Sequence, residues 1–379
     1  MNWIALRMLT GDRAKYLGLI FGVTFATLLM SQQVSIFMGI LTRTGNAILD
    51  VRDADIWVMD NRVRFVDEAP PLKDTDLLRV RGVPGVQWAV RYYKGNARTR
   101  LNDGNTRNVV LTGLDDDTLV GAPREMLAGS VADLKLPDAV IVDQAGYEYM
   151  WGKEPFRLGR TFEINDRRAV VVGVCKVGSP FFSTPIVYAR YSHANLYVPR
   201  ERNLMTYVLA KPQPGVDPQE LCRRIEKSTG RMALTQGQFF WKTVQYFVGS
   251  TGIPVNFGIT IALGFIVGAA VTGQTLYLFI LENLKQFGAL KAMGVANRRI
   301  VSMILLQALL VGGVGYGLGV GLTAIFFLAT GNITALAGLH MTWAAILGTG
   351  VAVVVIIIAT SVFGARRVLV LEPAIVFRG

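Results

Sequence analysis

The placement of charge constrains this chain most. From about Val255 to Leu281, Val301 to Leu328 and Trp343 to Phe363 there is not one charged residue. Each run reaches the roughly 20 apolar residues that a helix needs to cross a bilayer. A fourth run extends from Tyr16 to about Met38, with a clean apolar core from Leu17 to Met30. Beyond it Ser31, Gln32, Gln33 and Ser35 interleave with Val34, Ile36, Phe37, Ile40 and Leu41 at helical spacing. This helix is expected to leave the lipid and continue into solvent. A cleaved signal peptide would have a shorter apolar stretch and a small-residue cleavage site, and none stands out. With 51% hydrophobic and 17% charged residues, the chain is too apolar for a disordered protein and too poor in charge for an ordinary soluble one.

Lysine and arginine set the expected orientation. Arg7, Arg13 and Lys15 precede the first span, Lys285, Lys291, Arg298 and Arg299 lie between the second and third, and Arg366, Arg367 and Arg378 follow the fourth. The connection GNITALAGLHMT between spans three and four has none. Both termini and the 282–300 connection are therefore expected in the cytoplasm, and the 42–250 segment and the 330–341 loop outside. The net charge of +12 could suggest nucleic acid, but the outer segment carries 29 basic against 24 acidic residues. The excess lies on the cytoplasmic side, where it orients the chain and meets anionic membrane lipid. No nucleic-acid partner is expected.

The expected fold is a membrane protein, α-helical with four transmembrane helices, plus an α+β periplasmic domain between the first and second. The division is an amphipathic cytoplasmic segment 1–15, a first span with its extension 16–41, the outer domain 42–250, a second span 251–281 and a cytoplasmic helix 282–300. A third span 301–329, a periplasmic loop 330–341, a fourth span 342–363 and a cytoplasmic end 364–379 follow.

Glycines recur at intervals of four in the spans: Gly264 and Gly268 in the second, and Gly313, Gly317 and Gly321 in the third, with Gly315 and Gly319 on a neighbouring row. Such spacing lets helix backbones touch in lipid, so these faces are expected to pack against other helices, within the chain or across a dimer. The last three spans contain no charge to relay protons or ions, which weighs against a secondary transporter.

The connection from Glu282 to Ile300 is the most informative segment. Leu284, Phe287, Leu290 and Met293 recur every three residues, approximating one face of a helix, with Lys285, Gln286 and Lys291 at polar positions and Gly294 as its C-terminal stop. The pattern alone fits either a helix gripped by a cytoplasmic partner or one lying on lipid. The run Gly288-Ala289-Leu290-Lys291-Ala292-Met293-Gly294 resembles the coupling-helix region of MacB/FtsX-type ABC permeases, the type VII or mechanotransmission class. The arginine-containing Ala365-Arg366-Arg367 run leading to Glu372-Pro373-Ala374 is similar to that family's C-terminal end. Gln286 stands where many relatives carry glutamate, so no salt bridge is carried over to it. Within the group, Ala54-Asp55-Ile56-Trp57-Val58-Met59 and the opening Asn2-Trp3-Ile4-Ala5-Leu6 most resemble the DevC-like exporter permeases.

In the outer segment, alternating β-prone runs occur at 55–59, 87–93, 106–111, 139–143, 161–164, 169–174 and 207–209, with helices expected at 74–81 and 218–228. This resembles the family's porter-type half split by a β-rich insert, here about 95–200. Gly237–Ser250, rich in Phe and Trp, is expected to extend the second span outward and to pair with the extension of the first as a two-helix stalk. Cys175 and Cys222 read as a bridge or as two buried thiols. His193 and His340 are too scattered for zinc, and Asp115, Asp116 and Asp117 read as a solvated turn. The loop Ser179-Pro180-Phe181-Phe182-Ser183 reads equally as a periplasmic contact through Phe181 and Phe182 or as inward packing.

No catalytic or metal site is expected, and no cofactor. No G-x-x-x-x-G-K-[ST] occurs, and Gly152-Lys153-Glu154 lacks the flanking glycine and hydroxyl. ATP and Mg would belong to a separate ATPase. The resemblance implies a homodimeric permease subunit with two copies of an ABC ATPase, coupled through Glu282, Gln286, Phe287, Gly288, Leu290, Lys291, Met293 and Gly294. It further implies a membrane-fusion adaptor and a TolC-like outer-membrane protein, a bacterial inner-membrane location and efflux of lipid, glycolipid or another amphipathic substrate. An FtsX-like subunit that activates an envelope hydrolase without transport is the alternative.

Overall fold

The computed structural model describes residues 2–11, 13–68, 70–152, 154–178, 184–198, 205–331, 336 and 339–370. Phe181, Phe182, Lys153 and the 372–374 end of the C-terminal motif lie outside the described residues. The chain divides into two units, one of residues 1–39 and 252–379, the other of residues 40–251.

In the first unit, α1 (Asn2–Gly11) is followed by α2 (Arg13–Leu49), which runs unbroken through the unit boundary. α8 (Ile253–Glu282), α9 (Leu284–Ala292), α10 (Asn297–Thr330) and α11 (Trp343–Val370) complete it. Among the described residues four helices, α2, α8, α10 and α11, are long and apolar enough to span a membrane. Their shared core includes Leu19, Val23, Ala26 and Met30 of α2, Leu276 and Phe279 of α8, Ile304 and Val311 of α10, and Ile356 and Ile357 of α11. α1 joins it through Ala5 and Leu9, and the Gln307 amide donates to the Ala5 carbonyl at 2.7 Å. On its exposed side Trp3 lies under the Arg7 guanidinium, 4.9 Å away, a pairing suited to a wet interface.

The second unit is built on one sheet. Its strands are β1 (Ile56–Met59), β2 (Val86–Arg100), β3 (Thr106–Leu114), β4 (Glu125–Gly129), β5 (Ala139–Asp143), β6 (Thr161–Ile164), β7 (Arg167–Lys176), β8 (Ile186–Arg190), β9 (Tyr207–Pro212) and β10 (Met232–Thr235). The order is β10-β1-β9-β2-β3-β8-β5-β7-β4, with β6 bridging β2 and β7. Four strands form a split β-α-β-β-α-β arrangement with α3 (Asp74–Arg81) and α6 (Pro218–Thr229): β10, β1, β9 and β2, all antiparallel to their neighbours. The β-rich insert is not a separate sheet. β2 pairs with β9 through its first half and with β3 and β6 through its second, so one long strand carries both parts.

Alternation along β1 assigns the two faces. Ile56 and Val58 enter the core that holds α3 and α6, whereas Trp57 and Met59 enter the core that holds the end of α2 and Phe239. Cys222 belongs to the first core and Cys175 to the second, so the sheet separates two free, buried thiols and no bridge forms. Burial pushes the Cys222 thiol up to about 12 and raises Cys175 further, so neither is a nucleophile at neutral pH.

α7 (Gln236–Ser250) ends at Thr251, in extended conformation, and α8 begins after Gly252, so the segment expected as a continuous extension of the second span is a separate helix. α7 and the end of α2 do lie side by side. The Gln236 amide donates to the Ile48 carbonyl in the last turn of α2 at 2.9 Å and to the Val51 carbonyl just beyond it at 2.7 Å, and Phe240 covers Gly45. Of the consecutive acids, Asp115 accepts from the Thr118 hydroxyl at 2.9 Å within its turn, and Asp116 accepts from the Ser192 hydroxyl at 2.7 Å.

Asp143 sits at the end of β5 as the N-cap of α4 (Gln144–Trp151). Its carboxylate accepts from the Ile186 N–H at 2.6 Å and the Gly146 N–H at 3.2 Å, yet burial pushes its pKa up to about 6. A carboxyl raised above its unfolded value of 3.8 binds an extra proton in the fold between those two pH values, so it destabilises the fold above pH 6 and not below pH 4. Asp143→Asn keeps an acceptor oxygen without charge. It is expected to be the more stable form at pH 7.5, by up to about 3 kcal/mol, and to match the wild type near pH 4. Melting temperatures of the two proteins across that range check this.

Candidate coupling site and helix-packing faces

The connection between α8 and α10 turns on two residues, one at each end of α9. Asn283 caps the end of α8, its side-chain amide donating to the Phe279 carbonyl at 2.8 Å, and α9 starts at once. At the other end Gly294, at φ +87°, takes the left-handed conformation that glycine adopts without penalty and closes the helix. Its N–H donates to the Lys291 carbonyl at 3.0 Å, and the Val295 N–H to that of Leu290 at 3.1 Å.

α9 has two unlike sides. Phe287 is fully buried, Gly288 is buried, and Leu290 is 9% exposed; all three face the membrane-unit core beside Ile280, Ile300, Ala365 and Val368. The Lys291 ammonium donates to the Leu369 carbonyl at 2.8 Å, tying α9 to the last turn of α11. Glu282 pairs with Lys15 at the start of α2. The connection is thus fastened to every spanning helix of the unit. The exposed side consists of Lys285, Gln286, Ala292, Met293 and Gly294, continued by Ala296, Asn297, Arg298 and Arg299.

This corrects the expected single face. A three-residue spacing falls about 60° short of a full turn at each step, so after nine residues the ninth lies about 180° from the first. Phe287 and Leu290 point inward, while Met293, 73% exposed, points out. Of the eight residues expected to couple, Gln286, Met293 and Gly294 are accessible to a partner, and Glu282 too is exposed although it pairs with Lys15. Phe287, Gly288 and Leu290 hold α9 in place, and Glu282 and Lys291 tie it to neighbouring helices. Lys285 and the 296–299 start of α10 belong to the accessible surface and were not expected there.

The glycines also divide. A Cβ at Gly264 would meet Leu29 and Met30, and one at Gly268 would meet Ala26, so α8 packs on α2 through both. On α10 it is the neighbouring row that packs. A Cβ at Gly315 would lie 2.7 Å from the Val23 Cβ, and one at Gly319 would lie 2.5 Å from the Thr27 Cβ and 2.8 Å from the Thr24 carbonyl oxygen. One turn further on, the Ser31 and Thr323 hydroxyls bond at 2.6 Å. Gly313, Gly317 and Gly321 face open space within this chain.

Four spanning helices, an α+β domain inserted between the first and second, and a basic helical elbow between the second and third define a membrane permease. The chain matches the family model of the MacB-like periplasmic core domain over residues 16–228 and that of the FtsX-like permease C-terminal region over residues 258–373. It belongs to the MacB/FtsX type of ABC transporter permeases. An uncharacterised ABC transporter permease of Mycobacterium tuberculosis (strain H37Rv) is 27% identical over 313 residues, which are 82% of this chain and 80% of that one. An uncharacterised ABC transporter permease of Mycobacterium bovis is 31% identical over 121 residues, 32% of this chain and 33% of that one. Among solved structures, the periplasmic region of MacB from Actinobacillus actinomycetemcomitans is similar at 14% identity and TM-score 0.38, covering 54% of this chain and 96% of that one.

Proposed function

We propose that this permease is the membrane subunit of an ABC exporter, working as a homodimer with two copies of a separate ATPase. The observation that carries the reading is the two-sided α9: one side built into the core of the bundle, the other presented as a basic, methionine-bearing surface. A push on Met293, Gln286 and Lys285 cannot be absorbed by α9 alone, because Phe287, Leu290 and Lys291 tie it to the rest of the unit. Closure of ATP-loaded partners therefore moves the helices to which α9 is fastened. In this reading the 42–250 domain is periplasmic, both termini are cytoplasmic, and the membrane is the bacterial inner membrane. Cargo is a lipid, glycolipid or other amphipath, taken up outside and passed to a membrane-fusion adaptor and a TolC-like duct. ATP and Mg sit on the partner, since the chain carries no phosphate-binding loop. The open row Gly313, Gly317 and Gly321 is a candidate surface for the second copy.

Reconstitution with its ATPase in lipid nanodiscs tests the coupling: the permease should stimulate ATP hydrolysis, and a preparation that neither binds nor stimulates any such ATPase overturns the proposal. Capture of an adaptor supports export, whereas capture of a peptidoglycan hydrolase supports the FtsX-like alternative. For orientation, a cysteine at Gly331 should react with an impermeant thiol reagent added outside the cell and one at Asn297 should not. The reverse labelling inverts the topology.

A further inference from the structure

Between β1 and α3 the chain crosses the α/β unit as a strap, residues 60–68, without regular secondary structure. Both of its sides are tied. Toward the sheet, Asp60 accepts from the Arg231 guanidinium at 2.8 Å just before β10, the Tyr207 hydroxyl of β9 donates to the Val66 carbonyl at 2.8 Å, and the buried Lys94 of β2 pairs with Asp67. Val63 and Val66 are buried beneath it. Toward α7, the Phe65 ring stacks on Tyr246 with centroids 4.4 Å apart and 13° between planes, and meets Phe247 edge-on at 5.5 Å. The Arg64 guanidinium lies 5.2 Å from the centre of the same Tyr246 ring and pairs with Glu68 at 2.8 Å.

These contacts matter because of where they fall on α7. Its first turn is fixed to the end of α2 by Gln236 and Phe240, and to the sheet by Phe239, whose ring packs on Trp57 and Tyr207. Tyr246 is ten residues further on, about 15 Å along the helix. A helix held at one end can pivot; held at two points that far apart, it must carry its support with it. The strap has the chemistry of such a second point: an aromatic clamp on the helix side, and on the other three charged or hydrogen-bonded ties, to β2, to β9 and to the residue that precedes β10.

We propose that the 60–68 strap is the second link, beyond that of Phe239, that makes the far end of α7 and the sheet move as one body, with Phe65 as the grip and Tyr207 as one of its anchors. Its mechanical use rests on the coupled-permease reading, since α7 leads directly into spanning helix α8. The strap itself is a statement about the α/β unit and is tested without that reading.

The test is a pair of spin labels on cysteines placed at Gln245 of α7 and Asn108 of β3, both exposed, in the full chain in nanodiscs; the native cysteines are buried and do not compete. Without nucleotide, the wild-type background should give one narrow distance distribution. Phe65→Ala should broaden it at least twofold, and Phe65→Trp should restore the narrow form. Tyr207→Phe, which removes one bond without opening a cavity, should broaden it less and decides the matter if Phe65→Ala does not fold. An unchanged width in the folded variants overturns the link. With the ATPase added, the wild-type distance should stay the same in ADP and ATP, whereas that of Phe65→Ala should change while ATPase stimulation persists. A wild type that stimulates no ATPase counts against the proposed function and leaves the nucleotide-free result standing.

Discussion

Leucine at Gly319 is expected to abolish recovery of folded protein, whereas leucine at Gly317 is expected to leave the single chain intact. The two positions are two residues apart on α10, with the same composition around them, and differ only in what they face. A Cβ at Gly319 would fall 2.5 Å from the Thr27 Cβ and 2.8 Å from a backbone oxygen of Thr24. Neither can swing away as the tip of a flexible side chain could, so α2 and α10 would have to separate. Ordinary overpacking costs about 1–3 kcal/mol. Here separation would also break the Ser31–Thr323 hydroxyl bond one turn along, leaving each hydroxyl only the carbonyl of its own helix, Gly319 for Thr323 and Leu28 for Ser31. A fall of tenfold or more in monodisperse yield from detergent is the expected reading. At Gly317 the added side chain meets nothing within 4 Å. That variant should melt within 2 °C of wild type as a single chain, and should lose dimer if this row is the surface the second copy uses. Equal damage at both positions would contradict the helix packing described here.

The same glycines mark where sequence stops being informative. Two rows at intervals of four are interleaved on α10, and neither spacing nor composition says which one meets α2. The spans were legible because exclusion of charge is a property of the segment alone. The coupling helix was legible in position but not in orientation: a repeat of three was taken as a face, and the drift of that repeat against the helical turn put Met293 opposite Leu284. In the α/β unit the expected runs at 139–143 and 161–164 coincide with β5 and β6. β4 and β10 escaped notice because Glu-Met-Leu-Ala-Gly and Met-Ala-Leu-Thr hold no Val, Ile or aromatic residue, the types enriched in strands, whereas β8, Ile-Val-Tyr-Ala-Arg, has that character and was missed. β2 was cut short at Tyr93 because Lys94 and Gly95 look like a strand end, yet Lys94 is buried against Asp67 and the strand runs to Arg100. The strap was invisible for a related reason. Its residues are mostly charged, with Val63, Phe65 and Val66 too few to show a period, and the partners Tyr207, Arg231 and Tyr246 lie more than a hundred positions away.

Replacing Phe287 by aspartate should prevent folding rather than uncouple a folded protein, and replacing Met293 by aspartate should do the opposite. Phe287 is fully buried in the core that also holds Ile280 of α8, Ile300 of α10 and Ala365 of α11. A carboxylate there loses its water without gaining a cation, because Lys291 on the same helix is already committed to the Leu369 carbonyl. Removing the ring alone costs about 3–5 kcal/mol in a packed core, and an unpaired buried charge adds several more. Little of this variant should survive extraction as a monodisperse species. Met293 is 73% exposed and closes no cavity. Its aspartate variant should purify at wild-type yield and melt within 2 °C of wild type. In a segment that also carries Lys285, Lys291, Arg298 and Arg299, the new carboxylate would put a negative charge in place of an apolar tip just where a partner is proposed to press. Stimulation of the ATPase should fall at least tenfold, with the basal rate of the ATPase alone unaffected. Measuring yield, melting temperature and stimulated turnover on both variants separates the two roles of α9. If Phe287→Asp folded and lost only stimulation, or if Met293→Asp stimulated normally, the assignment of the inner and outer sides of this helix would be wrong.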